Sequence, residues 1–292
     1  MQRLRSWPAR INPVRVVIAI VIVAAVIVGY LVATLPPTPV PPDVVQPGDV
    51  VRVDYVGLFT NGRAFDTSIE AVAEDDANWP KAVSFQTRDT YTPLRFQLGA
   101  DPPAVIEGFE NAVLSPTPMR VGETREVVVP PEMAYGPPDP TKIEVRPMRV
   151  VLTQFETLLR ADFLAQFQLA PVVGLTFTHP DWQWETRVVE ASTDFVTLMH
   201  LPQVGFVLQP FGAWDARVLE VDTSANGGEG RIVVWHLLNT GHIDNVQTED
   251  DRGTFRIVDV NAGAETFTVD YNEEVVGQTL VFRIRLVFID RS

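Results

Sequence analysis

The sequence contains no cysteine, and its four histidines, His179, His200, His236 and His242, show no ligand spacing with a third partner. Disulfides, thiolate nucleophiles and thiolate metal sites are therefore excluded, and the histidines read as surface or core residues. No serine, cysteine or metal constellation of a hydrolytic kind is present, so a hydrolase reading fails. The remaining candidates are aromatic and aliphatic side chains. Taken singly, Phe65, Phe96, Val105, Ile106 and Phe282 fall at strand or helix spacing and read as core. Asp66 alone reads as a turn residue, and Tyr55 and Tyr135 as amphipathic side chains near a surface.

The elements that must position these residues follow from periodicity. VVRVDYVGLFT, from Val50 to Thr60, alternates as a strand does, and Asn61-Gly62 supplies the positive-φ turn of a hairpin. Residues 68–93 are acidic, irregular and interrupted by Trp79-Pro80, which predicts a long flap loop. RFQLG reads as a strand, VIEGFENAVL as a helix with Val105, Ile106, Phe109 and Val113 on one face, and REVVVPP as another strand. A short helix is expected in TQFETLLRADFLAQF, followed by short strands separated by turns such as Asn226-Gly227-Gly228, with weak internal echoes but no fixed repeat period. GQTLVFRIRLVFID, with Leu280, Phe282, Ile284 and Leu286 on one side, reads as a closing half-buried strand. The pattern is α+β.

A net charge of −14 gives nucleic-acid binding no electrostatic support. Residues 16–34, VVIAIVIVAAVIVGYLVAT, form an uncharged apolar run of about 20 residues, the length a helix needs to cross a bilayer. Arg3, Arg5, Arg10 and Arg15 precede it and Asp43 and Asp49 follow it, which predicts a single-pass anchor with residues 1–15 cytoplasmic and the rest outside. A cleaved signal peptide is the competing reading, disfavoured by the length of the run and the lack of an A-x-A site. The prolines of residues 35–47 predict a stiff polyproline II spacer.

Three motifs stand in order: VDYVGLFTNGRAFDTS at 53–68, FQLGADPPAVIEGFENAV at 96–113 and VGETREVVVPPEMAYG at 121–136. Together they resemble the FKBP-type peptidyl-prolyl cis-trans isomerases, and TLVFRIRLVFI resembles that family's closing strand. AYGPPDPTKIEVRP and VDYNEEVVGQTLVF resemble the borders of the insert-in-flap domain of SlyD-like and archaeal members. The resemblance implies an antiparallel sheet wrapped on a short helix over 48–145 and 268–292, with a mainly-β domain inserted at 146–267, as one module or two.

By the same resemblance, Tyr55, Phe65, Asp66, Phe96, Val105, Ile106, Phe109, Tyr135 and Phe282 line a proline pocket, with no cofactor and no metal. The Ile106 N–H and the Tyr135 hydroxyl hold substrate carbonyls, Asp66 polarises the neighbourhood, and Phe109 floors the pyrrolidine site in place of the family's frequent Trp. Met133 stands where an aromatic is frequent, and NEEVVG replaces the usual NHPLAG, which puts the insert's hinge in doubt. The resemblance further implies unfolded or proline-containing polypeptides as partners and a chaperone role for the insert. The insert's Trp182, Trp184, Phe206, Phe211 and Trp214 form either that client surface or the insert's own core, the latter favoured because a small β module needs its large apolar residues. A non-enzymatic holdase or assembly factor on the same scaffold is the alternative.

Overall fold

A computed structural model describes residues 41–291, so the apolar run at 16–34 and residues 35–40 of the proline-rich spacer lie outside the described residues. Val45–Ser292 form one compact unit. Among the described residues, no helix is long and apolar enough to cross a membrane.

The unit begins with β1 (Val50–Phe59), β2 (Ala64–Thr67), helix α1 (Glu70–Ala73), β3 (Leu94–Gln97), α2 (Glu107–Leu114) and β4 (Thr124–Val129). Next come β5 (Ile143–Pro147), β6 (Arg149–Leu152), β7 (Phe155–Leu159), α3 (Arg160–Phe167) and β8 (Thr176–Thr178). β9 (Glu185–Ala191), β10 (Phe195–His200), β11 (Val207–Leu208), β12 (Ala216–Asp222) and β13 (Arg231–His236) follow. The chain ends with β14 (Gln247–Asp250), β15 (Gly253–Asn261), β16 (Thr266–Asp270) and β17 (Leu280–Asp290).

The first sheet runs β2-β1-β17-β4, with β3 also paired to β1. Its strands alternate as the sequence does: Val51, Val53 and Tyr55 of β1 and Phe282, Ile284 and Leu286 of β17 are buried. The β1–β2 hairpin turns at Gly62, whose φ of 85° glycine adopts without a Cβ penalty. Helix α2 lays Phe109, Ala112 and Val113 against this face. It can do so because Gly108 has no Cβ; one added there would stand 2.2 Å from Val129 Cγ1.

The strands between β4 and β17 form three further four-stranded sheets of identical order: β14-β15-β16-β5, β11-β12-β13-β6 and β8-β9-β10-β7. Strands β5, β6 and β7 each open one sheet, and the sheets then close in reverse sequence, so each module is inserted after the first strand of the one before. The expected one or two modules are therefore three. Strand β5 pairs β16 throughout, so the first inserted sheet spans 143–270 rather than 146–267. The nesting also explains why a fixed repeat was not visible. The opening strands are collected at one end of the inserted stretch, while His200, His236 and Asn272 recur at even spacing at or just past the end of the last strand of each module.

Each junction between modules is braced alike. The Trp184 indole donates to His200 Nδ1 at 3.1 Å and packs into the second module's core with Leu208, Val218 and Ile232. The Trp214 indole donates to His236 Nδ1 at 3.0 Å and packs into the first module's core with Phe255, Ile257 and Phe267. Trp184 and Trp214 are thus core residues, and Trp182, Phe206 and Phe211 pack against the same cores. Fully burying large apolar side chains contributes about 1.5–3 kcal/mol each. The helix expected over 153–167 is a strand for its first part, β7, because Phe155–Leu159 pairs with β10; only α3 is helical.

Candidate functional site

Between α2 and the concave face of the first sheet lies a cavity of about 460 Å³. Of the nine residues expected there, Tyr55, Phe65, Asp66, Val105, Ile106, Phe109, Tyr135 and Phe282 line it. Phe96 does not line it; it stands against Phe109, edge to face at 5.9 Å, where β3 pairs it with Val51 of β1, two residues along the strand from Leu94. Leu94, Pro103 and Ala104 complete the wall and were not anticipated, since nothing in their spacing distinguishes them from loop residues.

The aromatic lining is a set of mutually perpendicular rings. Phe109 meets Phe282 at 5.2 Å and Tyr55 at 5.7 Å, and Phe65 meets Phe282 at 5.7 Å, all within two degrees of a right angle. Edge-to-face pairs of this kind fix ring positions beyond simple burial. β1 makes room for the Phe65 ring at Gly57, where a Cβ would lie 2.5 Å from Phe65 Cζ.

At the rim, the Tyr55 hydroxyl donates to Asp66 Oδ2 at 2.5 Å. The other oxygen, Oδ1, accepts from the Arg88 guanidinium at 2.5 Å and from the Thr67 N–H at 2.8 Å. Burial, reinforced by Asp66, raises the Tyr55 pKa far above its ordinary value, so the phenol keeps its proton. Tyr135 is shifted in the same direction, chiefly by burial, then by Asp66 and Glu273. Arg88 was missed from sequence because it lies in the irregular flap, where a contact made 22 residues from its partner leaves no periodic trace.

Ile106 is the N-cap of α2, in extended conformation; its carbonyl accepts from Phe109 and Glu110, and its own N–H donates to nothing among the described residues. The site therefore offers an apolar floor, a fixed carboxylate, and two donors, the Ile106 N–H and the Tyr135 hydroxyl. It has no paired nucleophile and base, so its chemistry is conformational rather than covalent.

Residues 42–156 match the FKBP-type peptidyl-prolyl cis-trans isomerase family. The chain thus carries an FKBP-type domain. The short-type peptidyl-prolyl cis-trans isomerase of Methanocaldococcus jannaschii is 40% identical over 100 residues, 34% of this chain and 56% of that protein. An FK506-binding protein of Streptomyces anulatus is 37% identical over 90 residues, 30% of this chain and 53% of its own length. FK506-binding protein 2 of Dictyostelium discoideum is 32% identical over 89 residues, covering 30% and 49%. The chain spans about half the length of the curated relatives it matches.

Two of the three departures from the FKBP pattern, Met133 and the return segment, have structural explanations. Met133 packs, partly buried, against the FKBP-type core, filling space that an aromatic would fill. In the return segment, Glu274 is buried and accepts hydrogen bonds from the flap, while Asn272 Oδ1 accepts from the Asp139 N–H and its amide donates to the Asp139 carbonyl. Arg63 of the β1–β2 hairpin adds a contact to the first inserted module through the Asp244 carbonyl at 2.8 Å. The return segment, whose sequence departs from the family pattern, is thus held both to the flap and to the Asp139 segment.

Proposed function

We propose that this chain is a peptidyl-prolyl cis-trans isomerase acting on proline-containing polypeptides. The observation that carries the reading is the aromatic cavity over Phe109 with the unpaired Ile106 N–H at its edge. Rotation about a prolyl amide has a barrier of about 18–20 kcal/mol because resonance is lost at the twisted state. A dry cavity that fits the twisted form better than either planar one lowers that barrier by differential binding. Phe109 floors the pyrrolidine ring, the Ile106 N–H and Tyr135 hydroxyl hold flanking carbonyls, and the Asp66 carboxylate, held by Tyr55 and Arg88, sets the local field. The test is the isomerisation rate of a Xaa-Pro peptide with the full chain and its Phe65→Ala and Tyr135→Ala variants. Acceleration that collapses in both variants supports the reading; no acceleration by the folded wild-type chain overturns it.

The inserted modules extend this activity to chaperone-like client binding. The third module exposes Leu159 and Phe195, cross-strand partners, together with Leu164, Leu169, Val172 and Val173. That apolar surface also favours a second reading, a holdase that works without turnover. Suppression of a model client's aggregation, lost in a Leu159→Ser/Phe195→Ser variant, supports client binding; equal suppression by the variant counts against it. The apolar run at 16–34 and its arginine flank support a single-pass anchor that holds the isomerase at the outer surface of the cell membrane. Protease protection of residues 45–292 in intact cells would exclude that topology.

A further inference from the structure

The turn at 179–184, between β8 and β9 of the third module, carries side chains that dock that module onto the second. Trp182 and Trp184, stacked at 5.2 Å, pack into the second module's core. Between them, the Gln183 amide donates to the Gln209 carbonyl at 3.0 Å and its Oε1 accepts the Gln209 N–H at 3.1 Å. His179 closes the turn. Its N–H donates to the Trp184 carbonyl at 2.9 Å and its carbonyl accepts the Gln183 N–H at 2.8 Å. Its Nδ1 accepts the N–H groups of Asp181 and Trp182 at 3.2 and 3.4 Å.

These contacts fix where two buried rings hold their protons. Backbone and indole N–H groups only donate, so Nδ1 of His179, and Nδ1 of His200, which accepts from Trp184, present lone pairs, and each ring's one proton is on Nε2. The two side chains are 2% and 4% exposed, with ring centres 5.5 Å apart. A second proton on either ring has to go to Nδ1, where it meets the donors that close the turn. Other partners stand nearby for the charged form. Asp181 Oδ2 lies 3.9 Å from His179 Nδ1, Thr186 Oγ1 3.2 Å from His200 Nδ1, and Glu156 Oε2 of β7 3.3 Å from His200 Nε2. Helix α3 faces His179 with the uncharged Phe167 ring at 5.3 Å, and its Gln166 amide donates to Asp181 Oδ2 at 3.5 Å. Burial, and then the neighbouring His200, lowers the His179 pKa from its ordinary 6.5, against the opposing pull of Asp181 and Glu156.

We propose that His179 and His200 form an acid-sensitive latch, which docks the third module on the second while both rings are neutral and releases it when they are protonated. In the released state the His179 Nδ1–H donates to the Asp181 carboxylate, the N–H groups of Asp181 and Trp182 turn to water, and Trp182 and Trp184 leave the second module's core. A ring that resists protonation in the closed turn takes up its proton more readily in the open one. Docking is therefore complete above about 6.5 and weakens as pH falls below it. At the inner junction the charged neighbour of His236 is the Arg146 guanidinium, which opposes protonation, so the outer junction opens first. The latch governs where the exposed Leu159 and Phe195 of the third module stand relative to the rest of the chain, and it holds independently of turnover at the prolyl cavity.

The test is hydrogen exchange of the full chain at pH 7.5 and pH 5, corrected for the intrinsic pH dependence of amide exchange. Protection of residues 179–184 and of Gln209 should fall by about tenfold at pH 5, while β1 and β17 stay protected. In a His179→Asn/His200→Asn variant, whose amide oxygens accept in place of Nδ1 without titrating, the same amides should be protected equally at both pH values. Unchanged protection in wild type, or a loss spread equally over β1 and β17, overturns the proposal, as does the same acid loss in the variant. Imidazole nitrogen NMR of wild type at pH 7.5 decides the point even where the variant does not fold. Both Nδ1 atoms should be unprotonated, and a proton on either one rejects the latch.

Discussion

Ser84 and Glu274, 190 residues apart, are joined twice: Glu274 Oε2 accepts the Ser84 N–H at 3.0 Å and the Ser84 hydroxyl at 2.6 Å. The flap is thereby tied to the segment where the chain returns from its inserted modules. Glu274→Ala leaves both donors without their acceptor and should cost about 1–3 kcal/mol, with Glu274→Gln losing less. Urea denaturation gives the cost, and hydrogen exchange at the flap amides should rise in the alanine variant before global unfolding does.

The rim network should matter to turnover more than to folding. In Tyr55→Phe, the Asp66 Oδ2 loses its donor while the ring and its edge-to-face packing on Phe109 stay. A fall in kcat/KM of about tenfold is expected, equivalent to about 1.4 kcal/mol of transition-state stabilisation. An unaltered rate would remove the network from the reaction.

Gly57→Ala tests the cavity wall without touching a polar group. The new methyl lies within 2.5 Å of Phe65 Cζ in the native arrangement, so the ring must move. Overpacking of this kind costs about 1–3 kcal/mol in stability. A crystal structure of the variant should show Phe65 displaced, and its isomerisation rate should fall below that of wild type; a native Phe65 position would contradict the expectation.

The junction between the first and second inserted modules should respond to acid. Burial, and secondarily Arg146, depresses His236 from its ordinary 6.5 to about 4. Such a histidine charges in the unfolded chain before it charges in the folded one. Its contribution to stability is complete above about 6.5, is lost as pH falls toward 4, and is constant below that. The difference is on the order of 3 kcal/mol. Tryptophan fluorescence during urea unfolding at pH 7 and pH 4.5 should show it, and His236→Asn, which keeps an acceptor for the Trp214 indole without titrating, should flatten the slope.

Much of this protein was legible as periodicity. β1, β17 and α2 announce themselves because alternation and helical spacing record which face of an element is buried, and local burial is what a sequence encodes most directly. The three motifs and the closing strand likewise placed Tyr55, Phe65, Asp66, Ile106, Phe109, Tyr135 and Phe282 at one site through their joint order. What only the tertiary structure decided depends on pairing between distant residues. Phe96 alternates like a lining residue, yet the β1–β3 register pairs it with Val51, out of the lining. Arg88 and Glu274 acquire roles from partners across loops that carry no period. β5, β6 and β7 are adjacent in sequence but open three different sheets, because each strand's hydrogen bonds are satisfied by a partner that returns only after every inner module has closed. Strand pairing of that range is chosen by the folded chain as a whole, and no local pattern of side chains specifies it.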